Sequence, residues 1–222
     1  LWGHSHAGNV FALVTNLLAG QRESVASFFD ACRPLFFSSQ STSADRQRWQ
    51  RVHDTLLDRP DVTAAIELNV VTFGTPIRYG WETQGYRRLL HVLHHRPAVD
   101  LPDYLVPFPF PWDDLSTARS GDYVQQLAIS GTDFVLGFAS WEAMRVERLL
   151  HKLLESGLRR IDTLQRLQLG MRVPAEGVAL LIDYPLDDNR LRENLLGHAV
   201  YTSIEWLPYH VQQVASFLLR QE

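Results

Sequence analysis

Apolar side chains recur at helical spacing from Val10 to Leu18, with Val10, Phe11, Leu13, Val14, Leu17 and Leu18 on one stripe that stops at Gly20. A second helical stripe, Trp49, Val52, Leu56 and Leu57, predicts a surface helix from Ser43 to about Leu57, closed by Arg59-Pro60. The run from Ile66 to Phe73 is instead nearly continuous in apolar and β-branched residues and ends at Gly74-Thr75-Pro76, which predicts a buried strand. From Gln84 to about His95, Tyr86, Leu89, Leu90 and Leu93 fit a helix stopped by Pro97. Strands are expected over Tyr123–Ser130 and Val178–Asp183. Between them lies a long amphipathic segment, Ser140 to Leu169, broken near Gly157, and the chain closes with a helix from Ile204 to about Leu219.

Four apolar strands separated by helices predict an α/β domain with a mostly parallel sheet covered on both faces. The strands ending at Trp2, Phe73, Ser130 and Ile182 are expected to be parallel neighbours, with the functional residues on one edge. A length of 222 residues suits a single domain, 1–222. The stretch 97–118 stands apart: Pro102, Pro107, Pro109 and Pro111 alternate with Tyr104, Phe108, Phe110 and Trp112, so neither a helix nor a central strand fits. It reads as a lid or substrate-pocket loop, or as a packed connection. The net charge of -4 gives no basic footprint for nucleic acid, and no apolar run reaches the roughly 20 residues of a membrane span. Cys32 is the only cysteine, which excludes an internal disulfide and a thiolate metal cluster and leaves localisation open, with the cytoplasm slightly favoured.

Chemistry concentrates at Gly3-His4-Ser5-His6-Ala7-Gly8, where a serine sits between small residues at a strand-to-helix turn. A serine held in a strained turn with its hydroxyl exposed needs small residues two positions before and after it. The helix behind Ser5 aims its first amides at the same place, and the His6 backbone N–H is the expected oxyanion donor. His4 and His6 flank the serine but point in different directions, so His4 is expected to pack beside the site and not to act as a second base.

This segment resembles the nucleophile elbow of the α/β-hydrolase fold, with Ala7 where the strict G-x-S-x-G pattern has glycine. Thr72-Phe73-Gly74-Thr75-Pro76 is similar to the T-x-G-S/T-P segment that follows the next strand in many lipases and esterases. The resemblance implies the order serine, acid, histidine along the chain, with both partners in loops after later strands. It implies Asp133, after Ile129-Ser130-Gly131-Thr132, as the acid, with Asp183 as its rival, and His198 in Gly197-His198-Ala199 as the base, with His210 a distant second. The implied activity is cleavage of a small-molecule or lipid ester without a cofactor, through an acyl-enzyme intermediate.

Two other readings compete. A member of the same fold could serve as a non-catalytic binding module. His91, His94 and His95, at i, i+3, i+4 on the expected helix, could hold a divalent metal, though no Asp or Glu nearby in sequence completes the shell. The chain opens at Leu1 as if inside a strand, so on the resemblance it is expected to be the C-terminal part of such a fold, with the earlier strands and the second oxyanion donor upstream.

Overall fold

Four parallel strands organise the molecule in a computed structural model that describes residues 1–37, 40–76, 80–94, 121–122, 125, 176–184 and 197–220. The strands are β1 (Trp2–His4), β2 (Asn69–Phe73), β3 (Arg88–His94) and β4 (Val178–Ile182). They lie side by side in chain order, with Trp2 opposite Val71, Val71 opposite Leu90 and Leu90 opposite Val178. Around them stand α1 (Ala7–Ala19), α2 (Arg22–Phe36), α3 (Ser43–Asp58), α4 (Pro60–Ala64) and α5 (Leu207–Leu218). The α/β class with a parallel sheet is therefore as expected. Helices α1, α3 and α5 fall where the apolar stripes put them, and a 3-10 turn, Ile204–Trp206, leads into α5. Helix α3 starts at a capping box in which the Thr42 hydroxyl accepts from the Asp45 N–H and the Asp45 carboxylate accepts from the Thr42 N–H.

The third strand is not the expected one. The spacing over 84–95 predicts a helix, but Arg88–His94 is a strand, and every residue from Leu89 to His94 is buried. The physical reason is that a central strand of a parallel sheet is covered on both faces, so its apolar run lacks alternation and also satisfies a helical template. The expected strand at Tyr123–Ser130 lies outside the described residues except for Gln125, which is helical. The amphipathic segment Ser140 to Leu169 and the loop 97–118 also lie outside them.

Strand parity sorts the sheet residues into two cores. Val70 and Leu89 face α1, α2 and α3 and pack with Ala12, Val25, Phe28, Phe29 and Leu57. Val71, Phe73, Leu90, Val92 and Ile182 face α5 and pack with Tyr184, Val200, Tyr201 and Val214. Helix α1 is also tied to the loop after β2 by buried Asn16, whose amide donates to the Gly80 carbonyl at 3.0 Å and accepts from the Glu82 N–H at 2.7 Å. The same parity separates two histidines of β3. His91 shares the Leu89 face, against Trp81, and hydrogen-bonds the Thr72 hydroxyl at 2.6 Å. His94 shares the Leu90 face, against Tyr184. The three-histidine metal reading therefore fails for the pair described, since His91 and His94 point to opposite sides of a sheet and not along one helix face. His95 lies outside the described residues.

His91 is 1% exposed, and burial pushes its pKa down from 6.5 to about 3, partly opposed by the Glu176 backbone. Because the folded pKa lies below the unfolded one, the neutral ring's contribution is fully present above about pH 6.5 and is lost as pH falls toward about 3. Each pH unit in that window costs about 1.4 kcal/mol. Equilibrium unfolding at pH 7 and pH 5 should show the wild type losing about 2 kcal/mol more than His91→Gln, which cannot titrate. Equal losses in the two proteins would contradict the assignment.

Candidate functional site

The site begins where β1 ends. Ser5 is the one non-glycine residue with positive φ among the described residues, at 57°. A left-handed conformation costs an L-residue roughly 1–2 kcal/mol, so the turn must be held by its surroundings. The end of β2 holds it on both sides: the Ser5 N–H donates to the Phe73 carbonyl at 2.9 Å, and the Thr75 hydroxyl donates to the Ser5 carbonyl at 3.0 Å. Small residues around the serine have the expected purpose. A Cβ at Gly3 would fall within 3 Å of Ala7 Cβ and the Phe11 ring, and one at Gly8 would fall on the Thr75 side chain. Helix α1 starts behind the turn without a side-chain cap. Its Gly8 and Asn9 N–H groups bond back to the Ser5 and His6 carbonyls. Among the described residues none accepts from the His6 N–H, which lies at the start of α1 next to Ser5.

The Ser5 hydroxyl meets His198 Nε2 at 2.8 Å, and His198 Nδ1 meets a carboxylate oxygen of Asp122 at 2.8 Å. His198 is 5% exposed and Asp122 is 1% exposed. Since a carboxylate accepts, Nδ1 carries the ring proton and donates it to Asp122, which leaves Nε2 as the acceptor for the Ser5 O–H. The Ser5–His198 contact is as expected, and the carboxylate on the far side of the ring is Asp122. Asp133 lies outside the described residues. The rival acid Asp183 is exposed just past β4 and does not touch His198. His210 is not a base for Ser5: it is buried, and its Nε2 is taken by the Tyr184 hydroxyl at 2.6 Å.

Asp122 fits the corrected sheet. The expected acid follows the strand expected at Tyr123–Ser130, but the third described strand is β3, which ends at His94, and Asp122 comes after it in sequence and before that expected strand. A local signal was also present: Asp122 accepts the Gln125 N–H at 2.8 Å, the spacing of an Asp that caps a helical turn. Its carboxylate also accepts from the Tyr201 hydroxyl at 3.1 Å. Burial, reinforced by the Asp122 charge, pushes the Tyr201 pKa well above its ordinary value, so the hydroxyl remains a donor. Gly74, with φ 55°, leaves room for this pair, because a Cβ there would meet both the Tyr201 ring and an Asp122 carboxylate oxygen.

Two more histidines bond to the segment that carries His198. His4 Nε2 bonds to the His198 carbonyl at 2.9 Å, with ring centroids 4.6 Å apart, so His4 packs beside the site as expected. Burial, and next the neighbouring His198, lower its pKa, which favours the neutral ring that donates one N–H to that carbonyl. His94 accepts the Gly121 N–H on Nε2 at 3.0 Å and faces the Gly197 carbonyl with Nδ1 at 3.2 Å. The expected pocket residues Tyr104, Phe108, Phe110 and Trp112 lie outside the described residues. Among the described residues, no group of three metal-ligating side chains converges and no helix is long and apolar enough to cross a membrane.

Gly197 precedes His198 at φ 83°, and a Cβ there would collide with the Gly121 carbonyl, next to Asp122. Gly197→Ala should therefore destabilise the fold by more than the roughly 1–2 kcal/mol of the backbone strain alone. Thermal unfolding measures it, and an unchanged midpoint would mean that the two loops do not meet as described.

No protein-family model, curated protein or solved structure matches this chain, so the functional reading rests on this geometry.

Proposed function

We propose that this protein is a serine hydrolase that cleaves carboxylic esters, with Ser5 as nucleophile, His198 as general base and acid, and Asp122 as the residue that orients His198. The observation that carries the reading is the unbroken hydrogen-bond chain from Ser5 through His198 to Asp122, 2.8 Å at each link, on a serine in a left-handed turn. A free serine hydroxyl is a weak nucleophile, and an adjacent base whose other nitrogen is fixed by a carboxylate is the arrangement that activates it. Chain order gives further support. Serine, acid and histidine occur in the sequence of the α/β-hydrolase fold, each after a successive strand or strand pair of a parallel sheet, and the ester preference follows the lipase and esterase resemblance at Thr72–Pro76.

On this reading, Ser5 Oγ attacks the acyl carbon as its proton passes to His198 Nε2. The carbonyl oxygen becomes an oxyanion that accepts from the His6 N–H, while the Asp122 carboxylate stabilises the imidazolium. Collapse breaks the C–O bond, and Nε2 returns the proton to the leaving alkoxide, releasing an alcohol and leaving an acyl group on Ser5. Water then gives a proton to Nε2 and its oxygen attacks the acyl carbon. Expulsion of Ser5, which takes the proton back, releases the carboxylic acid.

A fluorophosphonate should label Ser5 in the intact protein, since the reagent needs only an activated serine. His198→Ala should slow labelling on the order of 10⁴-fold or more, and Asp122→Asn by about 10⁴-fold. Asp183→Asn should leave the rate within a few-fold. A folded wild type that resists the probe, or labels equally well without His198, would favour a non-catalytic binding module. A large loss in Asp133→Asn with none in Asp122→Asn would return the acid to Asp133.

A further inference from the structure

We propose that His94 is a positioning residue that sets the separation of Asp122 and His198 by joining the two loops that carry them; this rests on the hydrolase reading above. His94 ends β3 and is 1% exposed. Its Nε2 accepts from the backbone N–H of Gly121, the residue before the acid, at 3.0 Å. That bond leaves the ring proton on Nδ1, which donates to the carbonyl of Gly197, the residue before the base, at 3.2 Å. The backbone N–H of His94 donates to the Tyr201 hydroxyl at 2.8 Å, and that hydroxyl donates to Asp122. One residue therefore touches the neighbour of the acid, the neighbour of the base and the second donor to the acid.

The chemistry needs histidine. A Cβ at Gly197 would fall on the Gly121 carbonyl, so no side chain fits at Gly197, and the groups to be joined are one donor and one acceptor on separate stretches of chain. A neutral imidazole presents an acceptor and a donor from two points of a rigid plane, fixed here against the Tyr184 ring at 5.1 Å. An amide side chain carries both groups at one end and can replace only one contact at a time. His94→Asn keeps a donor near the Nδ1 position and loses the acceptor for Gly121; His94→Gln keeps an acceptor near the Nε2 position and loses the donor to Gly197.

The test measures the fluorophosphonate labelling rate of Ser5 in the intact protein, alongside thermal unfolding. Each variant should slow labelling by about 10²-fold while remaining folded, the penalty for an ångström-scale misplacement. In an Asp122→Asn background, His94→Asn should cost less than about threefold, because the residue it acts through is already impaired. A merely structural role would give the same factor in both backgrounds, which would overturn the proposal, as would wild-type rates in both folded variants. Hydrogen exchange of the wild type needs no substitution: the Gly121 amide should be protected like the amides of β3, and exchange at the rate of a free peptide would also overturn it. If the wild type does not label at all, the hydrolase reading fails and this proposal with it. If the wild type labels and the His94 variants match it, only this proposal fails.

Discussion

The buried 2.8 Å hydrogen bond between His198 Nδ1 and Asp122 is the interaction on which the site depends. It decides which ring nitrogen carries the proton, and so leaves Nε2 unprotonated toward Ser5. A charged carboxylate at 1% exposure is costly unless its lone pairs are engaged, and here it accepts from His198, Tyr201 and the Gln125 N–H. Those donors come from two distant stretches of chain, around residue 125 and residues 198–201, so the carboxylate itself helps to draw the loops together. The glycines beside it serve the same end: Gly74 makes room for the carboxylate and Tyr201, and Gly197 for the Gly121 backbone.

The sheet supplies the fixed frame. Parallel pairing in chain order brings the C-terminal ends of β1, β2 and β3 to one edge, where the Ser5 turn, the Gly74-Thr75 loop and His94 lie. Ser5 keeps its left-handed backbone because Phe73 at the end of β2 and Thr75 just beyond it bond it from both sides. The polar groups in this otherwise apolar layer come in pairs or chains. Thr72 with His91, Tyr184 with His210 and Gly121-His94-Gly197 each join two elements that apolar packing alone would leave free to slide.

Much of this was legible in the sequence, and the misreading has a single origin. The Ser5 turn is written in small residues at fixed offsets, and His198 stands in a loop shortly before the last helix, so both could be read locally. Helices α1, α3 and α5 could be placed from apolar residues at helical spacing, although Val10, Val14, Val52 and Val211 stay exposed and α1 buries Ala12, Thr15 and Asn16 instead. Strand β3 carries no such mark: its residues are buried on both sides, and the run Arg-Leu-Leu-His-Val-Leu-His fits helical spacing as well as a strand. With that run taken as helical, the third strand is expected at Tyr123–Ser130 and the acid at Asp133, whereas the described carboxylate that meets His198 is Asp122. The same misreading made a metal cluster of histidines that the strand sends to opposite faces. With β3 recognised, the rule that an acid follows a strand points to Asp100, Asp103, Asp113, Asp114 and Asp122 alike, and only the contact with His198 separates Asp122 from the rest.

The central claim is that the chain from Asp122 through His198 makes Ser5 a nucleophile toward acyl carbon. Rapid quenching of the intact protein with an activated ester, followed by peptide mass spectrometry, tests it most directly. An acyl mass on the Ser5 peptide is expected, forming faster than product accumulates in the steady state and absent when His198 is alanine. An ester turned over with no acyl group on Ser5, or with the acyl group on another residue, would contradict it.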